Sequence, residues 1–122
     1  MITGLRGATI WSEDMTRYLL PFYRDVLGLP VAIQIEGFVV LGRQGEASLA
    51  LGTHSQVRGV NQDPARHMVG LATNDVDNDW KRLVSAGVEF IEKPTDYGQL
   101  RIATLKDPEG NLVQLLQPLE RR

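Results

Sequence analysis

Cysteine is missing from this chain, and with it go a disulfide framework, a thiolate nucleophile and a thiolate-bound zinc. Long apolar runs are missing too. Phe38-Val39-Val40-Leu41 is among the longest, far below the roughly 18 residues of a membrane span, so no membrane anchoring is expected. There is no basic excess: 13 Lys and Arg face 15 Asp and Glu, for a formal charge of −2. A row of phosphates would find no row of cations, and nucleic acid is not an expected partner. The opening residues, Met1 to Trp11, lack the apolar core of a secretory signal, and a cytoplasmic location is expected. Aromatic side chains are only 7% of the chain, which makes the position of each one informative.

What is present fits one soluble globular domain over residues 1–122, with 43% hydrophobic and 23% charged residues. Self-similarity organises the chain. Residues 4–52 and 65–117 each read as strand, helix and three strands, offset by about sixty positions. In the first copy Ala8-Thr9-Ile10-Trp11 forms a short strand and Ser12-Glu13-Asp14 offers cap oxygens. A helix follows with Met15, Leu19, Phe22 and Val26 at helical spacing, ending at Gly28. In the second, Met68 to Ala72 is the strand and Asn74-Asp75 the cap. Val76, Trp80 and Leu83 form the buried stripe of a helix that ends at Gly87. Val31 to Glu36, Phe38 to Leu41 and Ala47 to Gly52 complete the first copy; Val88 to Ile91, Arg101 to Lys106 and Asn111 to Gln117 complete the second. The polar stretch 53–64, with Gly and Pro, links them. Pro21 falls inside the first helix, where its missing N–H predicts a kink.

Three stretches then carry a family resemblance. Phe22-Tyr23-Arg24-Asp25-Val26-Leu27-Gly28-Leu29 resembles the helix-end signature of the vicinal oxygen chelate superfamily, which includes glyoxalases, bleomycin-resistance proteins and extradiol dioxygenases. Leu83 to Phe90 resembles its second helix end, and Lys106-Asp107-Pro108-Glu109-Gly110-Asn111-Leu112-Val113-Gln114-Leu115 resembles its hairpin and final strand. The resemblance spans nearly the whole chain and implies an α+β fold of two βαβββ modules in tandem, a curved mixed sheet around a cleft. It also implies a homodimer, because a curved sheet leaves apolar surface and strand edges to cover.

The resemblance further implies where a divalent metal such as Mn, Fe, Ni or Zn would sit: on the first and last strands of each module. Matching first strands puts Gly7 and His67 at those positions, and matching last strands puts Ala50 and Gln114 there. Gly7 and Ala50 offer no donor and Gln114 is a neutral amide, so no metal or other cofactor is expected. Glu46, and Glu36 with Gln34, are the carboxylate reserves, weighed against ordinary solvated strand-edge charges. A metal-dependent protein would have to rely on His67 and Gln114.

Period-two alternation extends the cleft from these positions. Thr9 and Trp11 go with Gly7, and Ser48 goes with Ala50. Val69, Leu71 and Thr73 go with His67, and Leu112 and Leu116 go with Gln114. The expected site is apolar with an aromatic floor, suited to stacking a flat small molecule on Trp11, oriented by Gln114, His67 and Thr9. A closed core that merely fills this space is the bland alternative. Trp80 is expected to pack against the sheet and His54 to be exposed in the linker. Three functions compete: a metal-free binding protein for a small hydrophobic or aromatic molecule; a metal-dependent lyase, isomerase or ring-cleaving dioxygenase; and a cofactor-free enzyme with His67 as catalytic general base.

Overall fold

A computed structural model describes residues 1–119. The chain divides into two compact units, Met1–Gly59 and a second beginning at Val60. The break falls inside the polar stretch 53–64.

In the first unit, β1 (Gly7–Ser12), α1 (Met15–Tyr18), a π-helical turn (Phe22–Val26), β2 (Val31–Ile35), β3 (Phe38–Leu41) and β4 (Ser48–Thr53) follow in order. Their sheet runs β1-β4-β3-β2, with β1 parallel to β4 and the other pairs antiparallel. The second unit repeats the plan. After a short 3-10 turn (Pro64–Arg66) come β5 (Val69–Ala72), α2 (Val76–Ser85), β6 (Phe90–Tyr97), β7 (Leu100–Lys106) and β8 (Leu112–Pro118), in the order β5-β8-β7-β6. These are the two βαβββ modules in tandem, each a four-stranded mixed sheet with a helical segment.

Helix entry is built the same way twice. Ser12 Oγ accepts from Asp14 N–H, Asp14 Oδ1 accepts from Arg17 N–H, and Thr53 Oγ1 accepts from Met15 N–H. Correspondingly, Thr73 Oγ1 accepts from Asp75 N–H, Asp75 Oδ1 from Asn78 N–H, and Gln117 Oε1 from Val76 N–H. In each module a strand-end side chain and an Asp satisfy the amides that helix geometry leaves orphaned, while the last strand supplies a third acceptor.

The helix exits differ. Pro21 lacks the N–H that would bond the carbonyl of Arg17, and regular helix stops at Tyr18. A wider turn continues the segment, with Leu27 N–H donating to Phe22 O at 2.9 Å. At the proline where a kink was expected, the helix changes type. Gly28 then turns the chain at φ +81°, and Leu29 N–H reaches back to Tyr23 O at 3.0 Å. On α2, Gly87 at φ +90° and a Val88 N–H bond to Leu83 O close an unkinked helix.

Each core lies between the helical segment and one face of its sheet. Met15, Leu19, Leu20 and Tyr23 are buried with Val39, Leu41, Leu49 and Leu51 in the first unit; Val76 and Leu83 are buried with Ala103, Leu105, Val113 and Leu115 in the second. Full burial of one such Leu or Val contributes about 1.5–3 kcal/mol. β6 runs longer than the Val88 to Ile91 expected from sequence. It continues through Pro94 because it is an edge strand with register breaks, where a missing N–H is tolerated.

The Asp-Pro-Glu-Gly turn also has a structural account. Asp107 Oδ1 accepts from Glu109 N–H at 2.8 Å and Asn111 N–H at 2.9 Å, its Oδ2 accepts from Asn111 Nδ2 at 2.8 Å, and Gly110 sits at φ +78°. This signature is the brace that feeds β8 into its sheet.

Candidate functional site

Because the helix takes one face of each sheet, the opposite face is where a ligand can be met. In the first unit that face is set by register. Thr9 lies beside Ala50, Ala50 beside Val40 and Val40 beside Ile33; Trp11, Gly52, Phe38 and Ile35 form the next row, and Gly7 pairs with Ser48. Thr9, Trp11, Ser48 and Ala50 thus share the face turned away from α1.

Trp11 is its centre. A Cβ added at Gly52 would fall 2.3 and 2.6 Å from two atoms of the indole six-membered ring, so the indole lies over a strand position kept bare. Phe38 lies at 6.1 Å between ring centroids, tilted by 38°, and His54 meets Trp11 at 5.5 Å and 75°, an edge-on contact. His54 is not the free linker residue expected. Its N–H donates to Ser12 O and its Nδ1 accepts from Gln56 N–H at 3.1 Å, so the ring is held in place and Nδ1 is the acceptor nitrogen. Trp11 nonetheless remains 46% exposed, an indole with packed edges and an open surface.

In the second unit the register corrects the sequence-based face. Val69 pairs with Val113 and Leu71 with Leu115, whose side chains are buried on the α2 side; Gly70 pairs with Gln114 and Ala72 with Leu116. Val69 and Leu71 therefore lie on the opposite face from Leu112, Gln114 and Leu116. Thr73 follows them, bonding Asp79 of α2 through its hydroxyl. His67 is exposed, extended, ahead of β5 and one residue out of phase with Gly70. The residue in phase is Met68. The capping pattern gives the same answer, since Gly7 stands seven residues before Asp14 and Met68 seven before Asp75. Alternation begun one residue early moved every side chain of β5 to the wrong face.

The Gln114 face holds further groups that alternation alone did not single out. Thr104 lies between Gln114 and Glu92 in the pairing, and the Tyr97 hydroxyl donates to Glu92 Oε2 at 2.6 Å. Gln114 makes no side-chain hydrogen bond among the described residues. The sequence reserves lie elsewhere: Glu46 is exposed ahead of β4, Glu36 is exposed in the turn after β2, and Gln34 pairs with buried Val39 on the helix side. Trp80 is half-buried on α2.

The family model described as the Glyoxalase/Bleomycin resistance protein/Dioxygenase superfamily matches residues 8–115. The chain belongs to that superfamily. A structure from Nocardioides, described as a glyoxalase/bleomycin resistance protein/dioxygenase, superposes with a TM-score of 0.75 at 19% identity, covering 100% of this chain and 88% of that one. TnmS3, described as an antibiotic binding protein from Streptomyces sp. CB03234, gives 0.75 at 25% identity over 96% of this chain and 97% of its own. A superfamily member from Sphaerobacter thermophilus DSM 20745 gives 0.75 at 26% identity over 95% and 98%. Among curated proteins, the uncharacterized YurT of Bacillus subtilis (strain 168) is 40% identical over 50 residues, 41% of this chain and 38% of YurT. The match thus spans well under half of that relative's length.

With the register corrected, the superfamily's metal positions here are Gly7, Ala50, Met68 and Gln114. They do not fit a hard divalent ion. A Cβ at Gly7 would lie 2.3 Å from the Ser48 carbonyl oxygen, so this position has no room for a donor side chain. Ala50 offers a methyl, Met68 a soft thioether and Gln114 a neutral amide, where such an ion needs several oxygen or imidazole donors. Among the described residues no three His, Asp or Glu side chains come together elsewhere. No helix there is long and apolar enough to cross a membrane.

Proposed function

We propose that this protein binds a small aromatic or hydrophobic molecule without a metal, by stacking it on the open surface of Trp11. The observation that carries this reading is the indole itself. It is seated over bare Gly52, flanked by Phe38 and His54, and left half exposed on the face away from the core. A side chain in mere packing would be covered; a preset, half-open aromatic surface lowers the ordering cost of binding. Thr9 and Ala50 form the neighbouring row, and Gln114, on the face of its own sheet turned from α2, offers an amide with no side-chain hydrogen bond among the described residues. TnmS3, a relative by fold with that printed description, supports a binding role. We further propose a cytoplasmic homodimer: β2 is an edge strand with Val31, Ile33 and Ile35 exposed.

The metal-dependent reading is disfavoured by the donor set, and the cofactor-free reading by the position of His67, exposed and off the Gln114 face. The test is fluorescence titration with a panel of planar aromatic compounds. Binders should quench Trp11 emission, and Trp11→Ala should weaken them about two- to tenfold, the worth of one aromatic contact. Affinities unchanged in that variant would sink the proposal.

A further inference from the structure

The sheet face of the second unit turned from α2 carries a polar device, with Thr104 buried at its centre. Edge strand β6 breaks register between Phe90 and Glu92 and again between Glu92 and Thr95. The first break sets Glu92 opposite Thr104, although the preceding pair, Phe90 with Leu105, belongs to the core side. Thr104 pairs with Gln114, and Gln114 with Gly70. One row across four strands therefore reads Glu92, Thr104, Gln114, Gly70, on the face turned from α2. Two strand spacings put Glu92 and Gln114 about 10 Å apart, a span suited to a small ring with a polar group at each end.

Tyr97, beyond the second break, donates its hydroxyl to Glu92 Oε2 at 2.6 Å. The bond uses one of about four acceptor positions on the carboxylate and holds its rotamer. Among the described residues Glu92 is ion-paired with no basic side chain, whereas its neighbour Glu89 is bridged to Lys106. The row around Glu92 is otherwise neutral. Its flanking rows on this face pair Ile102 with Leu116 and Lys106 with Leu112, the Lys106 ammonium being bridged to Glu89.

We propose that Glu92 is a recognition carboxylate for a protonated amine or amidinium carried by the ligand, with Tyr97 as its positioning residue. The proposal rests on the binding function above and narrows its ligand class to aromatic or hydrophobic cations. A fixed carboxylate that makes no ion pair among the described residues, its nearest cation Lys106 being taken by Glu89, is a counter-ion site, and Gln114, with both donor and acceptor, takes the ligand's other end. One carboxylate among neutral groups suits a monovalent organic cation; a divalent metal needs more oxygens.

The test compares benzamidine with benzamide, its neutral near-isostere, by saturation-transfer NMR and competition titration at pH 7. Wild-type protein should prefer benzamidine by about tenfold, the worth of a hydrogen bond to a charged group. Glu92→Gln should abolish that preference, and Tyr97→Phe should reduce it. Glu92→Asp, which keeps the charge, should retain part of it, and thermal midpoints check that every variant is folded. Equal binding of the two probes to wild type, or a preference that survives Glu92→Gln, overturns the role of Glu92 and leaves aromatic binding standing. If wild type binds neither probe and Trp11 emission also fails to respond to the aromatic panel, both proposals fall.

Discussion

At the scale of single residues, two glycines separate the site from its scaffold. At Gly7 an added Cβ meets the Ser48 backbone oxygen at 2.3 Å, and neither strand can yield without breaking the pairing; at Gly52 it meets side chains only, the half-exposed Trp11 indole and the Phe38 ring at 3.1 Å, so the site and not the strand pairing is displaced. Gly7→Ala should therefore cost about 1–3 kcal/mol in denaturant unfolding. Gly52→Ala should leave the unfolding midpoint nearly in place while shifting Trp11 emission and weakening aromatic ligands. A large stability loss at Gly52 would mean the indole is part of the core. The site was half legible at this scale. Gln114 follows from the resemblance to the superfamily's metal positions, and Trp11 from strand alternation begun at one of them. His54 and Phe38 do not, because their contact with Trp11 depends on strand order, β3 and the end of β4 lying across the sheet from β1. Glu92 and Tyr97 were hidden by a bulge, which alternation cannot foresee.

The elements themselves are tied down by ionic and capping bonds whose effects can be measured. Arg101 on β7 holds Asp77 of α2 through two bonds, at 2.9 and 3.0 Å, and Asp96 of β6 at 2.8 Å. The guanidinium bond keeps the Asp77 carboxyl below its ordinary pKa, and Arg101 itself is pushed upward by its two carboxylates. A carboxyl lowered in the folded state binds its proton more readily when unfolded. The stabilisation is therefore complete above the unfolded value of about 4 and drains away as pH falls through the lower folded value. Acid unfolding curves should show this dependence in the native chain, and Arg101→Gln should flatten it below about pH 4. An unchanged acid limb would show that the pair adds nothing beyond a solvated contact. Asp75→Ala should cost about 1 kcal/mol by removing an N-cap. The Asp14 and Asp75 caps, the glycines that close the helices and the Asp-Pro-Glu-Gly turn were readable from sequence, since each is local chemistry within a few positions; the Thr53 and Gln117 acceptors and the change of helix type after Tyr18 were not.

For the whole molecule, the decisive question is whether a divalent ion binds at all. Mn²⁺, Fe²⁺, Ni²⁺, Co²⁺ and Zn²⁺ added to chelator-stripped protein should leave the thermal midpoint unmoved. A true ligand at a hundredfold its Kd would add about 2.7 kcal/mol, a shift of several degrees. A shift with any ion that disappears in Gln114→Ala would return the protein to the superfamily's metal-dependent members. His67→Ala should change neither the midpoint nor ligand affinity.

The sequence by itself determined the two-module α+β plan, its turns and caps, and the superfamily, because repeats, helical periodicity and turn chemistry are encoded over short stretches. It also determined that Gly7 and Ala50 bring no metal donors. Only the tertiary structure decided which face each side chain of β5 occupies. A strand has a period of two, so a match begun at sixty positions rather than the sixty-one separating Asp14 from Asp75 inverts every residue along it. The pairing of Gly70 with Gln114 removed that ambiguity. It moved His67, Val69 and Leu71 off the Gln114 face and put Met68 and Gly70 in their place, because backbone register across the sheet, and not the local sequence, sets the phase of a short strand.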